Sequence, residues 1–494
     1  MPPPRVVIVG AGAAGVFTAY RLHQMAGDAF EIVLLEKNDR IGGNARSTPV
    51  QFGGQDYSID CGAQFFYTNP QPTYVEVLSG LGLFDAPAQV DARATGITLW
   101  DAETNGRRLW IPSHLTGFLR YRPQDWERLI GFAKFLVYAF LLDRDRPANW
   151  NMSVDTWLQG LALLDSEFKD DVLRPFLYQF LTLPADRIGD GSALYAITYF
   201  VRNVFGERGV DEPEPGIEGP DAATFQVYQS RIGLDGILER ALQASGVTPR
   251  LSEPVTSVQQ NGDGTLQVTT SVESIQADHV VFATDPHVTA AILSAGAFSA
   301  PELIASLQAC EYDDLAISMQ SGGSCWMPGD ASFWESVNTV IDGDALRFSV
   351  WFGPLRDSFG LGERIPVFKS WASPDLSPAA CPHSFLSLSH RILMPTTTFM
   401  MHRENAVGFQ GNDHVWLAGG WTNWFDSQEA ALDSATGVAG QIAGEPRASR
   451  AVATSDRQFQ RRDVDRWLTR VAALAPTDYR ARLINLINEV ETAG

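Results

Sequence analysis

Gly10-Ala11-Gly12-Ala13-Ala14-Gly15 and Glu36 are the residues whose types and spacing specify chemistry most directly. The three glycines stand between an apolar run, Val6 to Val9, and a helical stretch, Val16 to Met25. In such a unit the first glycine permits a tight turn, the second lets backbone approach a pyrophosphate, and the third lets helix and strand pack closely. The helix N-terminus then stabilises the phosphate charge. A second apolar run, Ile32 to Leu35, ends at Glu36, where a carboxylate accepts the ribose hydroxyls and repels a 2′-phosphate. Lys37 follows it. Strand, glycines, helix, strand and acid in register predict a dinucleotide-binding βαβ unit, which by itself suits NAD as well as FAD.

Later segments decide between the two. Arg40-Ile41-Gly42-Gly43-Asn44-Ala45-Arg46-Ser47 comes directly after the acid, and Asp60-Cys61-Gly62-Ala63-Gln64-Phe65 follows it. Pro254-Val255, the run Val280-Val281-Phe282-Ala283-Thr284, and Leu417-Ala418-Gly419-Gly420-Trp421 with Glu429-Ala430-Ala431 complete the series. In this order and spacing the chain resembles the flavin-containing amine oxidase and phytoene desaturase superfamily. The resemblance covers residues 6–442 and implies FAD as cofactor. It places Gly62 to Phe65 under the flavin, Val255 on the adenine side, and Ala283 and Thr284 beside the pyrophosphate. It also places Gly419, Gly420 and Trp421 in the C-terminal flavin motif. A helix beginning near Glu429 would aim its positive end at the flavin N1–C2=O region and stabilise the reduced anion.

The resemblance has gaps. Amine oxidases of the superfamily carry a lysine near flavin N5, and Leu315-Ala316-Ile317-Ser318-Met319-Gln320, the comparable stretch, has none. Ser427 stands where they place an aromatic cage wall, Trp421 where an acid follows the glycines, and Asn44 where an arginine is usual, with Arg46 two positions on. Met327-Pro328, Trp334, Ser336, Asn338 and Gly420-Trp421-Thr422 look like a little-characterised bacterial branch of FAD-binding oxidoreductases. Trp424-Phe425-Asp426 is loosely similar to flavin-dependent fatty-acid double-bond isomerases.

Hydride transfer to flavin N5 asks the protein for orientation, exclusion of water and a way to handle one proton. Phe65, Phe66, Trp421 and Trp424 are the expected walls of an aromatic, mainly apolar pocket, and Asp426 then Tyr67 the candidates for a polar group at the flavin edge. His383, His390 and His402 read as structural. The expected activity is oxidation of a small apolar or amphipathic molecule, by C–C desaturation or beside a heteroatom, with O2 or another acceptor reoxidising the flavin. The alternatives are double-bond isomerisation, amine oxidation without the usual lysine, and a non-catalytic FAD-containing binding protein.

The elements that must position these residues imply an α/β chain: a Rossmann-type FAD-binding domain (1–95, 225–300 and 406–445) interleaved with an α+β substrate domain (96–224 and 301–405). A charged helical tail, 446–494, either caps the fold or pairs subunits. Residues 100–224 read mainly helical, with Leu129 to Leu142 too short and too charged at Lys134 to span a membrane. A net charge of -21 over 494 residues argues against a nucleic-acid partner. No metal site is expected. Cys61, Cys310, Cys325 and Cys381 form no CxxC pair, so no disulfide is expected and a reducing, cytoplasmic setting fits, as does a Met1 to Arg5 segment without a signal peptide.

Overall fold

The structure is a computed structural model describing residues 2–52, 55–62, 66, 72–84, 90–144, 151–181, 183–198, 200, 224–355, 366–372, 381–423, 427–445 and 461–493. Four short parallel strands form one sheet, in the spatial order Val415–Leu417, His279–Phe282, Arg5–Val9, Glu31–Leu35. Their Val, Ile and Leu side chains are buried almost without interruption, as a sheet covered on both faces requires. The helix Ala13–Ala26 connects Arg5–Val9 to the edge strand Glu31–Leu35 and packs on the helices Gly233–Ser245 and Gln428–Ile442. The expected strands and helices of this half are all present, and every strand of the sheet ends on the same rim.

The second sheet has seven strands: Ser384–Leu393, Tyr312–Ser321, Val367–Ala372, Ala345–Trp351, Val337–Asp342, Ile97–Asp101 and Gly106–Ile111, in that spatial order. All neighbours run antiparallel except Val337–Asp342 beside Ile97–Asp101. The last hairpin corrects the helical reading of the segment that begins at residue 100. Arg107 and Arg108 mask its apolar alternation, and each is neutralised by an acid, Asp125 and Asp101 respectively. Behind this sheet the helix Pro123–Arg144 buries Phe132 and Phe135 completely, and Phe132, Phe176 and Phe200 meet edge to face at 4.8–6.1 Å.

The tail helices Arg461–Leu474 and Thr477–Ala493 pack on the chain itself. Tyr479 stacks on Trp126 at 5.9 Å, Trp467 on Phe225 at 6.3 Å, and Arg482 grips Glu127 through both carboxylate oxygens. Contrary to the reading of the cysteines, Cys325 and Cys381 form a disulfide. Antiparallel pairing of Tyr312–Ser321 with Ser384–Leu393 brings their flanking loops together, so cysteines separated by 56 residues lie with Cα atoms 5.9 Å apart. Cys61 and Cys310 are free and buried. Among the described residues no helix is long and apolar enough to cross a membrane, and no group of three ligands could hold a metal.

Candidate functional site

The carboxyl rim of the parallel sheet gathers the glycine segments into one cradle. Gly10 N–H donates to the Leu35 carbonyl at 2.7 Å, Gly42 N–H to the Ala11 carbonyl at 2.8 Å, and Ala283 N–H to the Val9 carbonyl at 2.9 Å. Gly12 and Gly42 face one another as a bridge. Close packing explains the residue type at two positions in particular. A Cβ on Gly15 would lie 1.9 Å from the Gly10 carbonyl oxygen, and one on Gly62 would lie 2.2 Å from that of Asn44. Gly10 also has φ +101°, a conformation that favours glycine. Glu36 is buried, and its carboxylate accepts from Ala11 N–H at 2.8 Å and from the Asn38 backbone and side chain at 2.9 and 2.6 Å. It holds the glycine turn to the end of the second strand, while Lys37 and Asn44 are exposed at the same rim.

The segment Gly42 to Arg46 lies against Cys61 and Gly62, with Cys61 N–H donating to the Arg46 carbonyl at 2.8 Å. Thr284 is half-buried and its hydroxyl meets Thr289 at 2.8 Å; Val255 is half-buried at the start of its strand. Gly419 N–H donates to Ser434 at 3.1 Å. The Trp421 indole N–H is spent on the Thr284 carbonyl at 3.3 Å, so this ring tethers the Gly419-Gly420 segment to the end of the strand His279–Phe282. Arg403, also buried, donates to the carbonyls of Thr422 and Asn423. Ser427 caps the helix Gln428–Ile442 by accepting from Ala430 N–H at 3.0 Å, a local reason for serine in place of an aromatic. Ala14, Ala430 and Ala431 are buried beneath the cradle.

Glu429 is buried. It accepts from Thr73 and Tyr74 N–H at 3.0 and 2.6 Å, capping the helix Pro72–Gly80. Burial, then the Asp433 carboxylate, raises its pKa well above the ordinary value. Phe66 is packed in the core, stacked on Tyr228 at 5.8 Å and edge-on to Tyr74 at 5.2 Å, with backbone hydrogen bonds to Tyr228 in both directions. Ala63, Gln64, Phe65, Tyr67, Trp424 and Asp426 lie outside the described residues.

The seven-stranded sheet brings a residue to this rim that sequence reasoning missed. Lys369 is fully buried on Val367–Ala372, and its Nζ donates to the Gly62 carbonyl. Register pairs it with Met319, in the very strand that carries no lysine of its own, and Met319 pairs in turn with Leu386. Directly paired residues share a face, so Lys369, Met319 and Leu386 stand together with Ile317, Leu388 and Trp371 one pair further on. Burial lowers the lysine to about 7, against smaller opposing effects of Cys61 and Asp60. His390 joins the same face opposite Leu315, and burial, then Lys369, Arg40 and Arg46, hold it down at about 4. The Trp371 indole N–H is buried without an acceptor among the described residues, with the Lys369 amine 5.4 Å from the ring centroid. The signal for Lys369 was its scarcity: one of four lysines, set in the apolar run Val-Phe-Lys-Ser-Trp.

Residues 13–333 match the family of flavin containing amine oxidoreductases. The chain belongs to this family. It is an FAD-dependent oxidoreductase, and the glycine cradle fits that elongated cofactor in having bare backbone where phosphates must approach. Coproporphyrinogen III oxidase of Mycobacterium bovis is 40% identical over 85 residues, 17% of this chain and 18% of that relative. Among solved structures, cyclohexylamine oxidase from Brevibacterium oxydans superposes with TM-score 0.59 at 17% identity, over 90% of this chain and 99% of the other. A CLA-producing fatty acid isomerase from P. acnes does so with TM-score 0.58 at 12% identity and the same coverage. At such identities these two likenesses establish the flavin amine oxidoreductase fold.

Proposed function

We propose that the chain oxidises a mainly apolar small molecule beside a heteroatom, with Lys369 as the group that holds and releases the proton. The carrying observation is a fully buried amine at the Gly62 carbonyl, shifted to about 7, on a face that it shares with Ile317, Met319, Leu386, Leu388, Trp371 and His390. FAD, when bound, supplies the hydride acceptor. Gly10, Gly12, Gly15, Gly42, Gly43 and Arg46 would hold its pyrophosphate, and Glu36 its ribose. Gly62, Gly419 and Gly420 would allow close approach to the rings. An amine poised near neutrality exchanges a proton with little driving force either way, as general acid–base work needs. The buried Trp371 N–H without an acceptor supports a substrate that carries an oxygen or nitrogen, because a buried donor left unpaired costs about 1–3 kcal/mol. In this reading the parallel-sheet residues, 1–95, 225–300 and 406–445, carry the cofactor, and the seven-stranded sheet carries the substrate.

Anaerobic flavin bleaching against amines, amino acids, fatty acids and isoprenoids tests the proposal. The expected result is bleaching by an apolar substrate with one heteroatom, slowed at least tenfold in Lys369→Met and less in Trp371→Phe. A product of unchanged mass, formed without an acceptor, would replace oxidation by isomerisation. Bleaching as fast in Lys369→Met as in the unaltered protein would remove the lysine from the chemistry.

A further inference from the structure

The disulfide Cys325–Cys381 sits at one end of the seven-stranded sheet, where three of its strands begin or end. Tyr312–Ser321 runs out into the loop that carries Cys325, and Cys381 leads into Ser384–Leu393. Ser321 N–H donates to the His383 carbonyl at 3.0 Å, and Gly322 N–H to the Pro366 carbonyl at 2.9 Å, just ahead of Val367–Ala372. One covalent bond thus closes the junction of three strands, the last of which carries Lys369.

A buried polar chain runs from this junction to the neighbour of Lys369. The Gln320 side-chain oxygen accepts from Cys325 N–H at 3.1 Å, and its amide N–H donates to Ser370 Oγ at 2.9 Å. The Ser370 and Ser349 hydroxyls meet at 2.7 Å, and Ser349 Oγ donates to the Trp326 carbonyl at 3.0 Å. Gln320, Ser349 and Ser370 are fully buried, on the sheet face opposite Lys369. Both ends of the chain, Cys325 N–H and the Trp326 carbonyl, belong to one loop. Displacing that loop leaves Gln320 and Ser349 short of partners in a buried network, where an unpaired polar group is costly.

The two sulfurs differ in access, Cys325 being exposed and Cys381 buried. A small thiolate attacks Cys325 Sγ, the S–S bond breaks, and Cys381 leaves as a thiolate that takes up a proton. A second thiol then displaces the first from Cys325, so the protein gains two electrons and two protons while two small thiols become one disulfide. The Gln320 oxygen stands 3.5 Å from Cys381 Sγ, so the buried thiol has an acceptor in place. Both redox states are provided for, and exposure of one sulfur is the mark of a labile disulfide rather than an inert one.

We propose that Cys325 and Cys381 form a thiol–disulfide switch on the strand that carries Lys369. Oxidised, the bond holds the loop and the polar chain in place and keeps Lys369 sealed; reduced by a small thiol, it lets the loop part and admits solvent to the amine. The readouts need no substrate, so failure of the proposed oxidation and failure of the switch are told apart. FAD-loaded protein, before and after treatment with reduced glutathione and anaerobic desalting, is acetylated briefly with acetic anhydride and mapped by mass spectrometry. The chain has four lysines, so Lys369 is read singly, with exposed Lys37 as internal reference. At about pH 8 the Lys369 amine, lowered to about 7, is mostly neutral, and burial is what shields it.

Reduction should open Cys325 to iodoacetamide in the native protein and speed Lys369 acetylation relative to Lys37 by about tenfold or more, the loss of one buried hydrogen bond carried into local opening. Oxidised glutathione should restore the slow rate. The double variant Cys325→Ser, Cys381→Ser should show the fast rate with and without glutathione. No release of Cys325 by glutathione, or release with an unchanged ratio of Lys369 to Lys37 acetylation, would overturn the proposal. So would loss of FAD and acetylation of all four lysines on reduction, which would make the bond a staple of the whole fold.

Discussion

Replacing Lys369 by methionine exchanges a fully buried amine for an apolar chain of similar length, and the buried amine has a calculable cost. Its pKa falls from 10.5 to about 7 on folding, which corresponds to about 4–5 kcal/mol of lost stability when the amine is fully protonated in the unfolded chain. The folded value lies below the unfolded one, so between them the unfolded chain binds a proton that the folded protein lacks. Stability therefore rises with pH through this window. The whole cost is present below about pH 7 and roughly 2 kcal/mol of it remains at about pH 9. Losing the hydrogen bond to Gly62 offsets the gain in Lys369→Met by about 1–3 kcal/mol, with little pH dependence over this range because the neighbouring Cys61 thiol sits at about 11. The variant should thus gain on the unaltered protein at about pH 6, and the gap should narrow by about 2–3 kcal/mol on going to about pH 9. Urea unfolding at saturating FAD, run at both pH values, measures it. Parallel pH profiles for the two proteins would show that Lys369 does not titrate as the burial argument requires.

Gly15→Ala should give protein without flavin, read as the flavin-to-protein absorbance ratio, because the new methyl would stand 1.9 Å from a backbone oxygen that cannot move aside. Thiol titration in denaturant should find two reactive cysteines before reduction, Cys61 and Cys310, and four after it. Closing a loop of 56 residues predicts that Cys325→Ser lowers stability by up to about 4 kcal/mol.

The nucleotide half of this protein is local in sequence. Strand, glycine turn, helix and acid fall within residues 5–36, each specified by steric or electrostatic demands on its own residue type, so Gly10, Gly12, Gly15 and Glu36 are legible in the chain's own order of residues. Gly42 and Gly62 are legible for the same reason, since a Cβ at either would meet a backbone oxygen at 2.4 or 2.2 Å. What tertiary structure alone decided is set by strand register. Lys369 reaches the Gly62 loop because Val367–Ala372 pairs with Tyr312–Ser321, although 50 residues separate Met319 from its partner, and nothing local announces that neighbour. The same antiparallel geometry joins Cys325 to Cys381. Glu429 shows the same dependence: its carboxylate caps the helix Pro72–Gly80, a partner more than 350 residues away that nothing local announces. Residue type is a local property, whereas the partner that gives a buried charge its task comes from packing.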